Sequence, residues 1–236
     1  MDESLDSLVR RVDEDRWLAS RFAPADVRAR LITLYALNHE IARSTELVSQ
    51  PALGDIRLTW WREAIAGIHD GKIPRAQPAL LALSEVVEAW PREAFDPLIE
   101  ARRRDLDSQP FASIDAFEAY IDGTAGTVMR LALRACGISV DESLVHAAAR
   151  AWGYVAWMRA RRPLPSGKGV GIMLQTASAW HGSLYRQTIP ASAFPAMGYV
   201  ALIHDYMRAY DRQRSPPALL SRQLRLIAAS VTGGLF

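Results

Sequence analysis

The chain has 236 residues, of which half are hydrophobic and 23% are charged, a composition typical of a globular protein with a sizeable core. Its single cysteine, Cys136, excludes an internal disulfide framework. The acidic N-terminus is unlike a signal or transit peptide, and no uncharged run reaches the ~18 residues that span a bilayer. We therefore expect one domain over residues 1–236, cytoplasmic and either free or bound to a membrane surface.

Helical periodicity dominates the chain, and no run of alternating β-branched residues marks a strand. The first long helix is predicted to begin near Pro24 and to end near Ser49. Further helices are predicted over residues 55–69, 77–89, 94–106, 114–136 and 141–161. The strongest break is a loop over residues 162–169, which is rich in proline and glycine. The sequence therefore predicts an all-α fold.

The last predicted helix covers residues 219–232 and is amphipathic. Its apolar stripe consists of Leu220, Leu224, Ile227 and Val231. Arg222 and Arg225 lie off this stripe, so they are predicted to form the solvated face of the helix. The run Arg102–Arg104 is likewise predicted to be a solvated helix face, just before Asp105.

Charge is distributed unevenly along the chain, although the net charge is only +2. Residues 1–100 have a net charge of −5, with 12 Lys and Arg against 17 Asp and Glu. Residues 143–236 have a net charge of +9, because Asp205 and Asp211 are their only acidic residues. This basic third favours an acidic protein, an anionic membrane surface or a diphosphate as partner. A solvated surface without a partner is the alternative.

Motifs for metal, nucleotide and nucleic-acid binding are incomplete or absent. His39-Glu40 begins like the zinc motif H-E-x-x-H, but Arg43 stands where the second histidine is required. The glycine-rich segment Gly167–Gly171 follows no predicted strand, which a dinucleotide-binding turn requires. Aromatic and basic residues do not form a nucleic-acid-binding pattern. We therefore expect neither a structural metal nor a nucleic-acid partner.

Three stretches of the chain resemble the squalene/phytoene synthase family. The first runs from Phe22-Ala23-Pro24 through Arg28 to Leu34-Tyr35-Ala36-Leu37. The second runs from Asp105-Leu106 through Phe117 and Tyr120 to Gly123-Thr124-Ala125-Gly126-Thr127-Val128. The third runs from Ala151-Trp152-Gly153 to Met158-Arg159 and Leu164-Pro165. The resemblance implies an isoprenoid (trans-prenyl diphosphate) synthase-like helical bundle around a central cavity.

The aspartate-rich motifs of that family are degraded in this chain. Family enzymes join two prenyl diphosphates head to head, with Mg²⁺ held between two aspartate-rich helical segments. The first motif falls here on Ala42, Arg43 and Glu46, of which only Glu46 has a carboxylate. In the second motif Arg159 matches the family's arginine, but Ala160 replaces the aspartate that follows. The resemblance therefore implies no catalytic residue and no metal ligand set.

The helix stripe that carries the first motif is nevertheless recognisable. Tyr35, Asn38, Ala42 and Glu46 are spaced 3, 4 and 4 residues apart, which places them on one helix face. The resemblance makes Tyr35, Asn38, Tyr120 and Gly126 candidates for lining the cavity. Two alternatives stay open at this point: the cavity is retained without its metal, or core side chains fill it.

Further segments are similar to a non-catalytic branch of the family, which includes a mitochondrial complex I assembly factor. They are Leu47–Pro51, leading through Gly54 to Ala64, and Leu220–Leu226. This similarity implies a protein that assembles a respiratory complex through protein or membrane contact. Two alternatives remain: a module that binds a prenyl lipid or prenyl diphosphate, and an active head-to-head prenyltransferase. Of these functions, only that of the active enzyme requires Mg²⁺, which Glu46 and unconventional ligands would bind.

Overall fold

A computed structural model describes residues 3–46, 50–185 and 187–235. Thirteen α-helices occur in these ranges: α1 (Leu5–Val12), α2 (Glu14–Ser20), α3 (Ala25–Glu46), α4 (Pro51–His69), α5 (Pro78–Glu85), α6 (Asp96–Arg102), α7 (Ile114–Ile121), α8 (Thr127–Ala135), α9 (Glu142–Arg159), α10 (Val170–Gly182), α11 (Phe194–Met197), α12 (Ile203–Asp211) and α13 (Leu219–Thr232). The described residues form no strand, only one isolated bridge between Thr188 and Gly234. The all-α prediction is confirmed.

Helix boundaries follow the proline signals, although α4 begins four residues before its predicted start at residue 55. Helix α3 begins directly after Pro24, and α4 begins at Pro51, where the missing amide hydrogen of proline has no cost. The predicted helix over residues 114–136 is continuous, but five residues, Asp122–Gly126, widen it into a π-turn. Residues 47–49, which belong to the predicted first helix and to one matched segment, lie outside the described residues.

The centre of the fold is made by α3 and α9. Seven consecutive side chains of α3, from Leu31 to Leu37, are buried, so this helix is enclosed on most sides. Helix α9 contacts its neighbours through small residues. A Cβ atom on Gly153 would lie 2.4 Å from Cγ2 of Ile121, so only glycine permits this approach of α9 to α7. One apolar cluster extends from Val9 to Leu235, and a second, smaller one surrounds Phe117 and Tyr154.

The orientation of α13 contradicts the sequence prediction. Its apolar stripe faces solvent: Leu220 is 66% exposed, Leu224 59%, Ile227 53% and Val231 83%. Arg222, predicted on the solvated face, instead points inward and its side chain is 12% exposed. It is held there by Asp15 of α2, at 2.7 Å, and by Glu14. The helix buries Leu226 and Ala229 on the same side.

None of the described helices is both long and apolar enough to cross a membrane.

Candidate functional site

A small cavity of about 210 Å³ lies between α3, the α7 to α8 segment and α9. It is lined by Arg16, Asn38, Ala42, Arg102, Tyr120, Ile121, Thr124, Ala125, Val128, Trp152, Gly153, Ala156, Trp157, Ala160 and Arg162. The bundle is therefore built around a cavity, but its volume is below the roughly 300–1,000 Å³ of typical ligand pockets. Three of the lining residues are arginines, a feature that the matched motifs do not predict.

The residues singled out in the sequence separate into two groups. Asn38, Ala42, Tyr120 and Ala160 line the cavity. Tyr35 lies outside this lining and is fully buried, with the Arg16 guanidinium 5.7 Å from its ring.

Gly126 and Arg43 also lie away from the cavity. A Cβ atom on Gly126 would meet the Arg130 side chain at 3.0 Å and Ala149 of α9 at 3.8 Å, so this glycine packs helices together. The Arg43 side chain is 51% exposed and lies 3.8 Å from Glu40. It points to solvent, so it contributes no charge to the cavity.

Arg102 lies at the centre of a polar network at the edge of the cavity. It donates to Asp105 at 3.1 Å, to the Tyr120 hydroxyl at 2.9 Å and to Asn38 at 3.4 Å. The Tyr120 hydroxyl in turn donates to Asp105 at 2.8 Å. Burial raises the pKa of Tyr120 to about 12, so the hydroxyl is protonated and acts as a donor.

The prediction that Arg102 belongs to a solvated face is wrong, because its side chain is 13% exposed. The spacing of Arg102 and Asp105 in the sequence could have predicted that Arg102 points inward. Residues three apart lie on the same helix face, so an inward Asp105 brings Arg102 with it.

Arg162 connects two carboxylates from different parts of the chain. It donates to Glu46 of α3 at 2.8 Å and to Asp105 at 2.9 Å. Its guanidinium also lies 5.1 Å from the ring centre of Trp157. The carboxylate that remains from the first aspartate-rich motif is therefore neutralised by an arginine from the loop after α9.

These residues do not fit a Mg²⁺ ion. Both oxygens of Asp105 already accept hydrogen bonds, and Glu46 is paired with Arg162. Ala42 and Ala160 have no ligand atoms in their side chains. Within residues 3–46, 50–185 and 187–235, no three His, Cys, Asp or Glu side chains are arranged to hold a metal ion.

Arg16 closes the cavity from the side of α2. It donates to Asp13 at 2.7 Å, and its guanidinium lies 4.9 Å from the ring of Tyr199 and 5.9 Å from that of Trp152. Burial lowers the pKa of Arg16, but the charge of Asp13 and the Tyr199 hydroxyl outweigh this effect, so the pKa is raised. Arg16 therefore stays protonated, and the carboxylate of Asp13 balances its charge.

A larger open cleft of about 1,100 Å³ lies beside the cavity and shares Arg16, Trp152, Ala156 and Ala160 with it. Arg159, the arginine of the second motif, lines this cleft instead of the cavity. It donates to Asp15 at 2.8 Å and its guanidinium lies 3.9 Å above the Tyr206 ring. The second motif is therefore divided: Ala160 lines both pockets, and Arg159 lines only the cleft.

The family model described as squalene/phytoene synthase matches residues 9–162. The chain belongs to this family. Two solved structures share the fold. A dehydrosqualene synthase in complex with ligand has a TM-score of 0.64 at 14% identity, covering 97% of this chain and 94% of that one. The squalene synthase HpnC from Alicyclobacillus acidocaldarius has a TM-score of 0.65 at 20% identity, covering 97% and 92%. The predicted isoprenoid synthase-type bundle is confirmed.

Curated relatives with a shared name match most of the chain. The human and mouse proteins named NADH dehydrogenase (ubiquinone) complex I, assembly factor 6 are 26% and 25% identical to it. Each match covers 87% of this chain and 72% of the relative. A Drosophila melanogaster homolog of this assembly factor is 28% identical over 60% of this chain. The resemblance to the assembly-factor branch is confirmed.

Proposed function

We propose that this chain is a non-catalytic member of the squalene/phytoene synthase family that acts in the assembly of a respiratory complex through contact with a protein. The observation that carries the proposal is the position of Arg162, which pairs with both Glu46 and Asp105. The name shared by the relatives supports the assembly role.

The absence of ligand atoms at two positions supports a loss of catalysis. Ala42 and Ala160 stand where the resemblance places metal-binding aspartates, and both line the cavity. Mg²⁺ stabilises a departing diphosphate, and electrostatic stabilisation is usually the largest catalytic contribution. The carboxylates of Glu46 and Asp105 beside the cavity are engaged by arginines, so they do not supply this contribution.

The first test is enzymatic. Purified full-length protein is incubated with farnesyl diphosphate or geranylgeranyl diphosphate and Mg²⁺, beside an active squalene synthase as positive control. We expect no condensation product. Product at enzyme-like rates, lost in the variant Glu46→Gln, would instead establish the alternative of an active prenyltransferase.

The second test addresses assembly. Disruption of the gene in its source organism should lower the amount of assembled NADH dehydrogenase complex on native gels. Wild-type protein and the Glu46→Gln variant should both restore the complex, because Glu46 is assigned no catalytic role. A normal level of the complex after disruption would contradict the assembly role.

Prenyl-lipid binding is a second candidate function, and one observation favours it. The cleft of about 1,100 Å³ is large enough for a lipid chain and includes the apolar side chains Trp152, Val170 and Leu174. Its acidic and basic side chains are equal in number, four each, which favours a neutral prenyl lipid over a diphosphate. Saturable quenching of tryptophan fluorescence by farnesol, stronger than by farnesyl diphosphate, would support this function; no quenching would exclude farnesol.

A further inference from the structure

Helix α13 presents a regular apolar seam to solvent. Leu220, Leu224, Ile227 and Val231 are between 53% and 83% exposed. Their intervals of four, three and four residues are those of the a and d positions of paired helices. At 1.5 Å per residue the seam is about 16 Å long, or three helical turns. Such spacing is typical of a helix face that packs against another helix.

The seam forms one wall of an apolar groove. Trp17 and Phe22 from α2 and the segment after it form the opposite wall, and the groove has a volume of about 430 Å³. Its lining residues are Trp17, Leu18, Arg21, Phe22, Leu220, Gln223, Leu224, Leu226 and Ile227. Arg21 is the one charged residue among them. A concave apolar groove of this kind accepts the apolar face of an amphipathic helix.

The exposure of the seam is fixed by the ion pairs on the opposite side of α13. Rotating the helix to bury Leu224 would pull Arg222 away from Asp15, whose side chain is 3% exposed. Removing one of the two cations that pair with this buried carboxylate is unfavourable. The apolar face therefore remains available to a partner.

The charge beside the groove favours a partner with acidic side chains. The guanidinium groups of Arg10 and Arg21 lie 5.0 and 4.5 Å from the Trp17 ring. Asp6 already pairs with Arg21 at 2.6 Å, so Arg10 is the one of these two cations that a partner can neutralise. Residues 212–235 contain no Asp or Glu. The α13 helix of a second copy of this chain would therefore bring no carboxylate to Arg10. A partner helix with acidic residues on its flanks would bring such a carboxylate.

We infer that the groove between α2 and α13 docks an amphipathic helix of a partner protein, with apolar residues at heptad spacing and carboxylates on its flanks. This inference rests on the proposed function, since it names the kind of protein with which an assembly factor of this structure would make contact.

The test uses the full chain and two labelled helical peptides. Both have leucine at a and d; one has glutamate at e and g, and its twin has lysine there. Fluorescence anisotropy should show that the glutamate peptide binds at least ~10-fold more tightly than the lysine peptide, which is about 1.4 kcal/mol. The preference should shrink as salt is raised, because it arises from exposed charges.

Two variants locate the binding site. Leu224→Ser with Ile227→Ser should weaken binding of the glutamate peptide at least ~10-fold, a loss of about 1.4 kcal/mol or more. The matched control is Ile73→Ser, at an aliphatic side chain that is 93% exposed in the loop after α4, and it should bind like the wild type. Arg10→Gln should reduce the preference for glutamate flanks without abolishing binding. Circular dichroism establishes that each variant is folded.

Several results would overturn the inference. They are failure of both peptides to bind, equal binding of the two peptides, and unchanged binding by the seam variant. Seam-dependent binding to phosphatidylglycerol vesicles without peptide binding would assign the groove to a membrane. A wild-type dimer that the seam substitutions dissociate, seen by sedimentation, would assign it to a second copy. Turnover of farnesyl diphosphate would reject the proposed function but leave this measurement unaffected.

Discussion

Arg159 and Arg222 donate to the two oxygens of one buried carboxylate, that of Asp15, at 2.8 and 2.7 Å. The Tyr206 hydroxyl donates to the same group at 2.9 and 2.8 Å. Three helices, α9, α12 and α13, therefore converge on a single residue of α2. An arginine that the family resemblance associates with the reaction centre has a structural role here.

Arg222→Ala should destabilise the protein and loosen α13. Asp15 keeps two partners but loses one cation in a site where its side chain is 3% exposed, so we expect a loss of about 2–4 kcal/mol in the free energy of unfolding. Urea denaturation measures this loss. The control is Arg225→Ala on the same helix, where the lost contact is one hydrogen bond of 3.2 Å to the backbone oxygen of Ala201. A similar loss in both variants would contradict the special role of Arg222.

Tyr120→Phe should weaken the network that holds Asp105. The hydroxyl bridges Arg102 and Asp105 at 2.9 and 2.8 Å, and its removal leaves a buried carboxylate with one hydrogen bond fewer. We expect the free energy of unfolding to fall by about 1–3 kcal/mol, as measured by thermal or urea unfolding. Tyr210→Phe, at a half-buried tyrosine of α12, should be nearly neutral. An unchanged Tyr120→Phe variant would show that the bridge contributes nothing to stability.

Gly153→Ala should disturb the contact between α9 and α7. The added methyl group would lie 2.4 Å from Cγ2 and 2.9 Å from Cγ1 of Ile121, so one helix has to move. Overpacking of this kind costs about 1–3 kcal/mol. Gly171→Ala in α10 is the matched control, because no atom lies within 4 Å of the added Cβ. That variant should be neutral or more stable by up to about 1 kcal/mol, since alanine favours a helix. Equal melting temperatures for the two variants would contradict the packing argument.

His181 should make the protein sensitive to mild acid. Burial lowers the pKa of this side chain, at the end of α10, to about 4, below the usual value of 6.5. Between pH 6.5 and pH 4 the unfolded chain binds a proton at this site and the folded chain does not. Stability is therefore expected to fall as the pH falls through this window, by roughly 2–3 kcal/mol.

The variant His181→Gln isolates this effect from the carboxylates, which also titrate in acid. The difference in free energy of unfolding between wild type and variant, measured by urea denaturation at several pH values, should change steadily between pH 6.5 and pH 4. A difference that is independent of pH would show that His181 is not the source of the acid sensitivity.

Local features of the sequence were sufficient to predict α3 to α9 and α13, whereas α1, α2 and α10 to α12 were not predicted. The boundaries of α3 and α13 follow from proline, from helical periodicity and from the residues that end a helix, all of which act over a few neighbours. The family resemblance predicted the helical bundle and placed Ala42 and Ala160 beside the cavity. The orientation of α13 was predicted wrongly because its decisive contact joins Arg222 to a residue 207 positions away.

The position of Arg162 beside the cavity was not predictable for the same reason. Arg162 lies in a loop, and its partners Glu46 and Asp105 are 116 and 57 residues away along the chain. Periodicity describes which face of a helix is apolar, but not which distant carboxylate neutralises a basic side chain. The residues that distinguish this cavity therefore become apparent only in three dimensions.

The pairing of Arg162 with Glu46 and Asp105 has a consequence for how the protein depends on its surroundings. A metal ion that neutralises carboxylates can dissociate, so the charge of such a cavity varies with ion supply and with chelators. A guanidinium is part of the chain and keeps its proton at any physiological pH. Arg162 and Arg102 thus balance the two carboxylates without an added ion, and we expect the stability of the protein to be the same at high and low magnesium concentration.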